Sequence, residues 1–127
     1  MKVLLVDDEA EFVSTLANRL SLRGIEATWV DDPANAIIEV WKQCYDLAVL
    51  DVKMPRINGI ALKRQLQKRC PNMKFIFLTG HSSQDAYLEG SAEAGSDYYL
   101  LKPLRLEDLM SKIEEIEAIQ RDGASHE

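Results

Sequence analysis

The stretch KVLLVDDEAE, residues 2–11, places an apolar run directly before a cluster of acidic side chains. Its first five residues have the composition of a buried strand, and Asp7, Asp8 and Glu9 follow at once. Close carboxylates repel by roughly 4 kcal/mol per pair at about 4 Å in an effective dielectric near 20, so the cluster must be solvated, protonated or bound to a cation. One interpretation is a helix start, in which Asp7 or Asp8 caps the helix that follows. Residues elsewhere in the chain must decide between a cap and a cation site.

Length and composition indicate a single globular domain. The chain has 127 residues, of which 46% are hydrophobic and 28% charged, and this is enough to bury a core. A formal net charge of −6 argues against direct nucleic-acid binding, which needs a basic face to offset phosphate. The chain has no apolar stretch of about 18 residues and no signal-peptide pattern, so we expect no membrane contact and a cytoplasmic location.

The two cysteines, Cys44 and Cys70, lie far apart in sequence and have no neighbouring histidine at metal-ligand spacing. This pattern favours reduced structural or surface thiols over a disulfide or a zinc site. We therefore assign them no function from the sequence.

Strand patterns alternate with helix patterns from the N-terminus onward. After the first strand, apolar residues recur every four positions up to Leu20, and Gly24 stands where a helix would stop. The segment IEATWV predicts a second strand, and DDPANAIIEVWKQ predicts a second helix with Asp32 as its N-cap and Pro33 in its first turn. The chain thus begins with two β-α units.

Three more units complete the pattern: DLAVLD before a helix around Ile60 to Arg69, KFIFLT before one around Gln84 to Ala94, and DYYLLK before one around Leu106 to Ile119. Nearly continuous apolar strands are typical of a parallel sheet that helices cover on both faces. Five such units predict a flavodoxin-like (βα)5 fold with strand order 2-1-3-4-5. Its switch point lies between strands 1 and 3.

Functional sites in such sheets lie at the carboxyl ends of the strands. The residues at those ends are Asp7 and Asp8 after strand 1, Asp51 after strand 3, Thr79 after strand 4 and Lys102 after strand 5. Three converging carboxylates make a hard oxygen site suited to Mg²⁺. A hydroxyl and a lysine ammonium can hold phosphoryl oxygens near the metal, and an aspartate can act as a nucleophile. Each residue taken alone could also be a loop cap, a strand-end hydroxyl or a solvated charge. Their joint occurrence at the strand ends favours a functional site.

With these residues in place, the chain resembles the receiver domains of bacterial two-component response regulators, of which the chemotaxis regulator is the single-domain example. The resemblance rests on VDDE at residues 6–9, LDVKMPRINGI at 50–60, LTGH at 78–81 and AGSDYYLLKP at 94–103. It covers nearly the whole chain. We accordingly assign residues 1–120 to a receiver domain and residues 121–127 to a polar tail.

The resemblance implies that Asp51 accepts a phosphoryl group from the histidine of a sensor kinase or phosphotransfer protein, or from a small acyl phosphate. It implies that Mg²⁺ is held by Asp7, Asp8, Asp51 and the backbone carbonyl of Lys53. The chain would then be a phosphoacceptor switch that takes part in its own phosphorylation and dephosphorylation, and not an enzyme acting on other molecules. Lys53 and His81 flank the route of an attacking water and depart from fast-cycling relatives, so we predict a slowly lost phosphoryl group.

The resemblance further implies that Thr79 and Lys102 hold the phosphoryl oxygens, and that the Lys102-Pro103 peptide is cis. In the family, Thr79's counterpart moves toward the phosphoryl group and the aromatic at the position of Tyr99 turns inward. This movement re-forms the surface of the fourth predicted helix, strand 5 and the fifth predicted helix. An output domain or protein would read that surface, and a phosphorylation-dependent dimer through it is compatible with the resemblance.

Two other functions fit parts of the pattern. Phosphatases of the haloacid-dehalogenase type also use an aspartyl nucleophile with Mg²⁺, but they carry a second aspartate two positions later, where this chain has Lys53. A degenerate receiver would bind a partner without being phosphorylated. The presence of all three aspartates together with Thr79 and Lys102 argues against this function. Turnover of phosphate esters and stable phosphorylation of Asp51 separate these alternatives.

Overall fold

A computed structural model describes residues 1–80 and 98–125 of the chain, with side chains described as far as residue 120. In these parts the elements are β1 (Lys2–Val6), α1 (Ala10–Ser21), β2 (Glu26–Val30), α2 (Pro33–Lys42), β3 (Leu47–Asp51), α3 (Gly59–Arg69), β4 (Lys74–Thr79), β5 (Tyr98–Leu101) and α4 (Leu106–Ser125). The helix predicted around Gln84 to Ala94 and the residue His81 lie outside the described residues. The element α4 is therefore the fifth helix of the sequence-based prediction.

The five strands form one parallel sheet in the order β2-β1-β3-β4-β5, which confirms the predicted topology. The register pairs Val6 with Leu50, Asp51 with Leu78 and Thr79 with Leu101. Because the strands are parallel, their carboxyl ends share one edge of the sheet. The residues that follow β1, β3, β4 and β5 are thereby brought to a common region.

Helices cover both faces of the sheet and create two cores. On one face α2 and α3 pack on strand residues such as Leu50, Phe75 and Phe77. On the other face α1 and α4 pack on residues such as Leu5 and Val49. Every residue of β3 is buried, as expected for a strand covered on both sides.

Local signals explain most helix ends. The Asp32 Oδ1 atom accepts a hydrogen bond from the Ala34 amide at 2.8 Å, with Pro33 in the first turn, so the predicted cap of α2 is confirmed. Asn58 caps α3 in the same way. The turn after α1 contains Gly24 with φ of 81°, a backbone conformation that glycine adopts without steric cost.

The N-terminus of α1 corrects one interpretation of the acidic cluster. Neither Asp7 nor Asp8 is the N-cap of this helix; that position belongs to Glu9, whose side chain makes no capping hydrogen bond. The two aspartates precede the helix, and Asp7 is turned toward the sheet edge instead. A cap therefore does not account for the acidic residues.

The C-terminal helix is longer than its apolar pattern indicated. The sequence predicted an end near Ile119, whereas α4 continues to Ser125 and includes the first residues assigned to the polar tail. The apolar periodicity of the sequence stops near Ile119, but nothing between Ile119 and Gly123 breaks a helix. Residues 126–127 lie outside the described part.

The cysteines are the clearest departure from the sequence analysis. Cys44, just beyond α2, and Cys70, at the end of α3, form a disulfide with Cα atoms 5.7 Å apart. The expectation of reduced thiols is wrong in this structure because the packing of α2 beside α3 brings together two residues separated by 26 positions. Sequence spacing alone holds no information about that contact.

Within the described ranges 1–80 and 98–125, no helix combines the length and the apolar composition needed to cross a bilayer.

Candidate functional site

Three aspartates meet at the carboxyl edge of the sheet. One carboxylate oxygen from each of Asp7, Asp8 and Asp51 lies within 4.8 Å of the others. The Asp7 and Asp51 residues are buried, with exposed fractions of 1% and 6%, whereas Asp8 is exposed. The register of β1 against β3 causes this convergence, since it aligns Val6 with Leu50 and so places the following acidic residues side by side.

The two buried carboxylates have matching hydrogen bonds. In Asp7, Oδ1 accepts from the Glu9 amide at 2.9 Å and Oδ2 accepts from Lys102 Nζ at 2.9 Å. In Asp51, Oδ1 accepts from the Lys53 amide at 3.2 Å and Oδ2 accepts from Lys102 Nζ at 3.3 Å. Each carboxylate is thus oriented by a backbone amide two residues onward, and one ammonium joins the pair.

Lys102 has more contacts than the sequence analysis predicted. Its Nζ atom also lies 3.4 Å from Glu9 Oε1 and 5.4 Å from the centre of the Phe12 ring. Glu9 belongs to the quoted acidic cluster, and Phe12 follows it by three positions, so both project from the start of α1 on one side. That helical spacing is the sequence signal that could have indicated the two contacts.

Burial and charge shift the pKa values of the site in consistent directions. Burial raises the pKa of the Asp7 carboxyl, and burial together with the nearby Asp7 charge raises the pKa of Asp51. Burial alone would lower the pKa of Lys102, but hydrogen bonds and charge from Asp7 and Asp51 outweigh it and raise that pKa to about 12. The ammonium therefore stays charged and partly offsets the crowding of the carboxylates.

Thr79 ends β4 beside this cluster. Its side chain is buried, and its Oγ1 atom has no hydrogen-bond partner among residues 1–80 and 98–120. Its backbone carbonyl accepts a hydrogen bond from the Lys102 amide at 2.7 Å. The end of β4 thereby fixes the backbone from which the lysine side chain extends, and the cis Lys102-Pro103 peptide is as predicted.

Tyr99 projects from β5 toward the face covered by α2 and α3. Its ring stacks on Phe77 with centroids 5.4 Å apart, and its hydroxyl oxygen is buried. The neighbouring residues Tyr98 and Leu100 pack on the opposite face. The alternation along β5 thus turns Tyr99 inward in this structure.

The segment between β3 and α3 supports the backbone of Asp51. A Cβ atom added at Gly59 would press on the Asp51 carbonyl oxygen and lie 3.1 Å from its carbonyl carbon, so only glycine fits there. Arg56 adopts a left-handed conformation with φ of 71° and its Nη2 bonds Asp32 Oδ2 at 2.7 Å, which ties the loop to α2. The sequence analysis missed these supports, because both depend on contacts between elements.

The family assignment agrees with this geometry. The model of the response regulator receiver domain family matches residues 3–114 of the chain. The chain belongs to the response regulator receiver family.

Individual relatives of this receiver domain support the assignment. It is 34% identical over 113 residues to the response regulator MprA of Mycobacterium leprae, an alignment that covers 89% of this chain and 49% of MprA. It is also 34% identical to the two-component response regulator PhoP of Pseudomonas aeruginosa over 89% of this chain and 50% of PhoP. The receiver domain therefore spans about half the length of these relatives.

A solved receiver domain confirms the fold. The crystal structure of a response regulator receiver domain protein from Clostridium thermocellum superposes with a TM-score of 0.85 at 27% identity. The match covers 94% of this chain and 96% of that one. The predicted flavodoxin-like architecture is confirmed by this neighbour.

The donor set of this receiver domain fits a hard divalent cation. Asp7, Asp8 and Asp51 offer carboxylate oxygens close enough for one ion, and carboxylates are the protein ligands that Mg²⁺ takes in small numbers while keeping several waters. The exposed Asp8 leaves one side open to solvent. The Lys53 amide is placed beside Asp51, and the role of its carbonyl as a ligand remains a prediction.

Proposed function

We propose that this receiver domain is a Mg²⁺-dependent phosphoacceptor switch, with Asp51 accepting a phosphoryl group from a sensor histidine kinase, a phosphotransfer protein or a small acyl phosphate. One observation carries the proposal. The Asp51 carboxylate is nearly buried, contacts the same Lys102 ammonium as Asp7, and has an oxygen within 4.8 Å of carboxylate oxygens of Asp7 and Asp8. Burying carboxylates close together costs free energy of folding, so we attribute their arrangement to a cation that they bind.

The transfer step uses groups of this chain in defined roles. An Asp51 carboxylate oxygen attacks phosphorus, and the bond from phosphorus to the donor's imidazole nitrogen or acyl oxygen breaks. The donor leaves with that electron pair: a phosphoimidazole protonated on its other ring nitrogen leaves as neutral imidazole, and an acyl phosphate leaves as a carboxylate. Bound Mg²⁺ would supply positive charge to the phosphoryl oxygens.

Lys102 and Thr79 would hold the product. The Lys102 ammonium already lies 3.3 Å from Asp51 Oδ2 and can pair with a phosphoryl oxygen on the same carboxylate. The Thr79 hydroxyl has no partner in the described structure and is therefore available as a donor once an acceptor arrives. Both roles follow from groups that stand at the ends of β4 and β5.

The proposed output is a change in the surface near β5. A phosphoryl group brings about −1.5 to −2 charges, enough to draw Thr79 and Lys102 toward Asp51. Tyr99 stacks on Phe77 next to this region and would report the movement to an output domain, a partner protein or a second copy. A cytoplasmic location and the absence of direct nucleic-acid contact by this domain belong to the same proposal, as does its role as a switch and not as an enzyme.

Phosphorylation by acetyl phosphate tests the proposal directly. The parent chain should gain one phosphoryl group with Mg²⁺ and none in EDTA, as measured by intact mass. Asp51→Asn should remove the modification and Asp8→Asn should slow it. A matched control is Asp46→Asn at the opposite edge of the sheet, where the Asp46 carboxylate accepts a hydrogen bond from the Lys2 backbone amide, and this variant should react like the parent.

The outcomes separate the competing functions. Absence of modification in the parent would favour a degenerate receiver that only binds a partner. Steady turnover of a phosphate ester such as p-nitrophenyl phosphate would favour the phosphatase reading. Equal modification of the parent and of Asp51→Asn would place the phosphoacceptor elsewhere.

A further inference from the structure

The disulfide joins α2 and α3 at the end of the sheet opposite to the acidic cluster. Cys44 follows α2 and is exposed, while Cys70 ends α3 and is 3% exposed. A groove of about 210 Å³ runs beside the bond and is lined by residues 44–46 and 70–73. A reagent from solvent can therefore reach Cys44, whereas protein covers Cys70.

The fold does not depend on this bond for its core. Cys70 belongs with Tyr45 and Met73 to the core cluster on the face covered by α2 and α3. We expect this apolar packing to persist when the sulfur is a thiol, because it does not use the S–S bond. The Tyr45 hydroxyl donates to Glu39 Oε1 at 3.2 Å, and so fixes the end of α2 independently. A reduced chain should keep its native fold.

We propose that Cys44–Cys70 is a thiol–disulfide exchange site that takes a dithiol reductant. A thiolate of the reductant attacks the sulfur of exposed Cys44, and the sulfur of Cys70 leaves with the electron pair and takes up a proton. The second thiol of the reductant loses its proton and attacks the mixed disulfide, which releases Cys44 as a thiolate that is protonated in turn. Two electrons pass to the protein, and the dithiol becomes a disulfide.

The segment that the bond encloses gives the exchange a consequence. The 26-residue separation includes β3, Asp51 and all of α3. Opening the loop restores conformational entropy to the unfolded chain, so reduction should lower the folding equilibrium constant by about 30- to 400-fold. The reduced receiver domain would stay folded but open more often between α2 and α3.

Trp41 provides a built-in reporter of the bond. Its ring lies 4.7 Å from the guanidinium carbon of Arg69, the residue before Cys70, and it precedes Cys44 by three positions. Because a nearby disulfide quenches indole fluorescence, reduction should raise the emission of Trp41. The Trp41→Phe variant should lose this increase in emission, which distinguishes the signal of Trp41 from that of Trp29.

The experiment titrates the oxidised full chain with mixtures of reduced and oxidised dithiothreitol at neutral pH without denaturant. Alkylation followed by mass measurement counts free thiols, circular dichroism monitors the fold, and thermal unfolding reports stability. We expect both thiols to appear together while the fold is retained, with a lower melting temperature and higher Trp41 emission.

Cys44→Ser is the matched control because it removes the exposed partner and leaves the buried Cys70 in the core. Its melting temperature should equal that of the reduced parent and should not respond to dithiothreitol. Thiols that appear only where the chain unfolds would overturn the proposal, as would equal stability of the oxidised and reduced parent. Failure of the disulfide to form under an oxidised buffer would overturn it too. None of these readouts depends on phosphorylation.

Discussion

Lys102→Met removes the ammonium that joins Asp7 to Asp51 and keeps an unbranched apolar stem of similar length. The Lys102 Nζ atom lies 2.9 Å from Asp7 Oδ2, 3.3 Å from Asp51 Oδ2 and 3.4 Å from Glu9 Oε1. We expect the variant to be less stable in the absence of metal and to regain part of that stability, relative to the parent, when Mg²⁺ is added. The reason is that the proposed Mg²⁺ would neutralise the same carboxylates as the Lys102 ammonium does.

The magnitude follows from these distances. At an effective dielectric near 20, the attraction to Asp7 is about 6 kcal/mol and that to Asp51 about 5 kcal/mol, before the cost of desolvating the ions. The contact with Glu9 contributes little because that side chain is 67% exposed. Removing one partner of a buried ion pair typically costs about 3–5 kcal/mol. Lys102 is 23% exposed, and a carboxylate left behind can take up a proton, so we expect a loss of about 2 kcal/mol.

Binding of Mg²⁺ should narrow the difference in stability between the parent and Lys102→Met. In the parent, the proposed Mg²⁺ would compete with Lys102 for Asp7 and Asp51, whereas in the variant it would not. Removing the competing charge should tighten Mg²⁺ binding by about tenfold, or about 1.4 kcal/mol. The ion should then stabilise the variant more than the parent, by the linkage between binding and folding.

Urea unfolding in EDTA and in millimolar MgCl₂ measures both effects. Lys42→Met is the matched control, because Lys42 pairs with Glu39 at 3.0 Å on the surface of α2 and is 68% exposed. That variant should change stability by less than about 1 kcal/mol in either buffer. If Lys102→Met were as stable as the parent in EDTA, or if Mg²⁺ stabilised both equally, the ammonium would not be holding the carboxylates together.

Three further substitutions test the support of the site. Gly59→Ala should cost about 1–3 kcal/mol in urea unfolding, because the added methyl group presses on the backbone of Asp51, and an unchanged midpoint would refute this contact. Thr79→Val should be at least as stable as the parent, since it removes a buried hydroxyl that has no partner in the described residues, and a loss above about 2 kcal/mol would show a missing partner. We also expect beryllofluoride, a mimic of the phosphoryl group, to change the amide chemical shifts of β5 in the parent and not in Thr79→Val. Lys53→Asn should shorten the lifetime of the phosphorylated protein in decay assays, and a parent lifetime of only seconds would contradict the prediction of slow loss.

Local sequence patterns were sufficient for most of the fold. Apolar runs, the Asp32 cap and the spacing of β-α units depend on neighbouring residues. Right-handed crossovers leave few strand orders, of which 2-1-3-4-5 is a common one and is the order observed. Because parallel strands end at one edge, the sequence also predicts that Asp7, Asp8 and Asp51 lie together, and the structure confirms it. The end of α4 was harder to predict, since its last turn carries no apolar pattern.

Contacts between distant elements needed the tertiary structure. The sequence placed Lys102 at the strand edge, but only the fold shows that it binds two aspartates and reaches Glu9, because those distances depend on side-chain directions across three elements. The Cys44–Cys70 bond was missed for the same reason: helices α2 and α3 must pack side by side before two cysteines 26 positions apart can meet. Periodicity along the chain therefore determines which edge of the sheet holds the chemistry, and packing determines which groups at that edge touch.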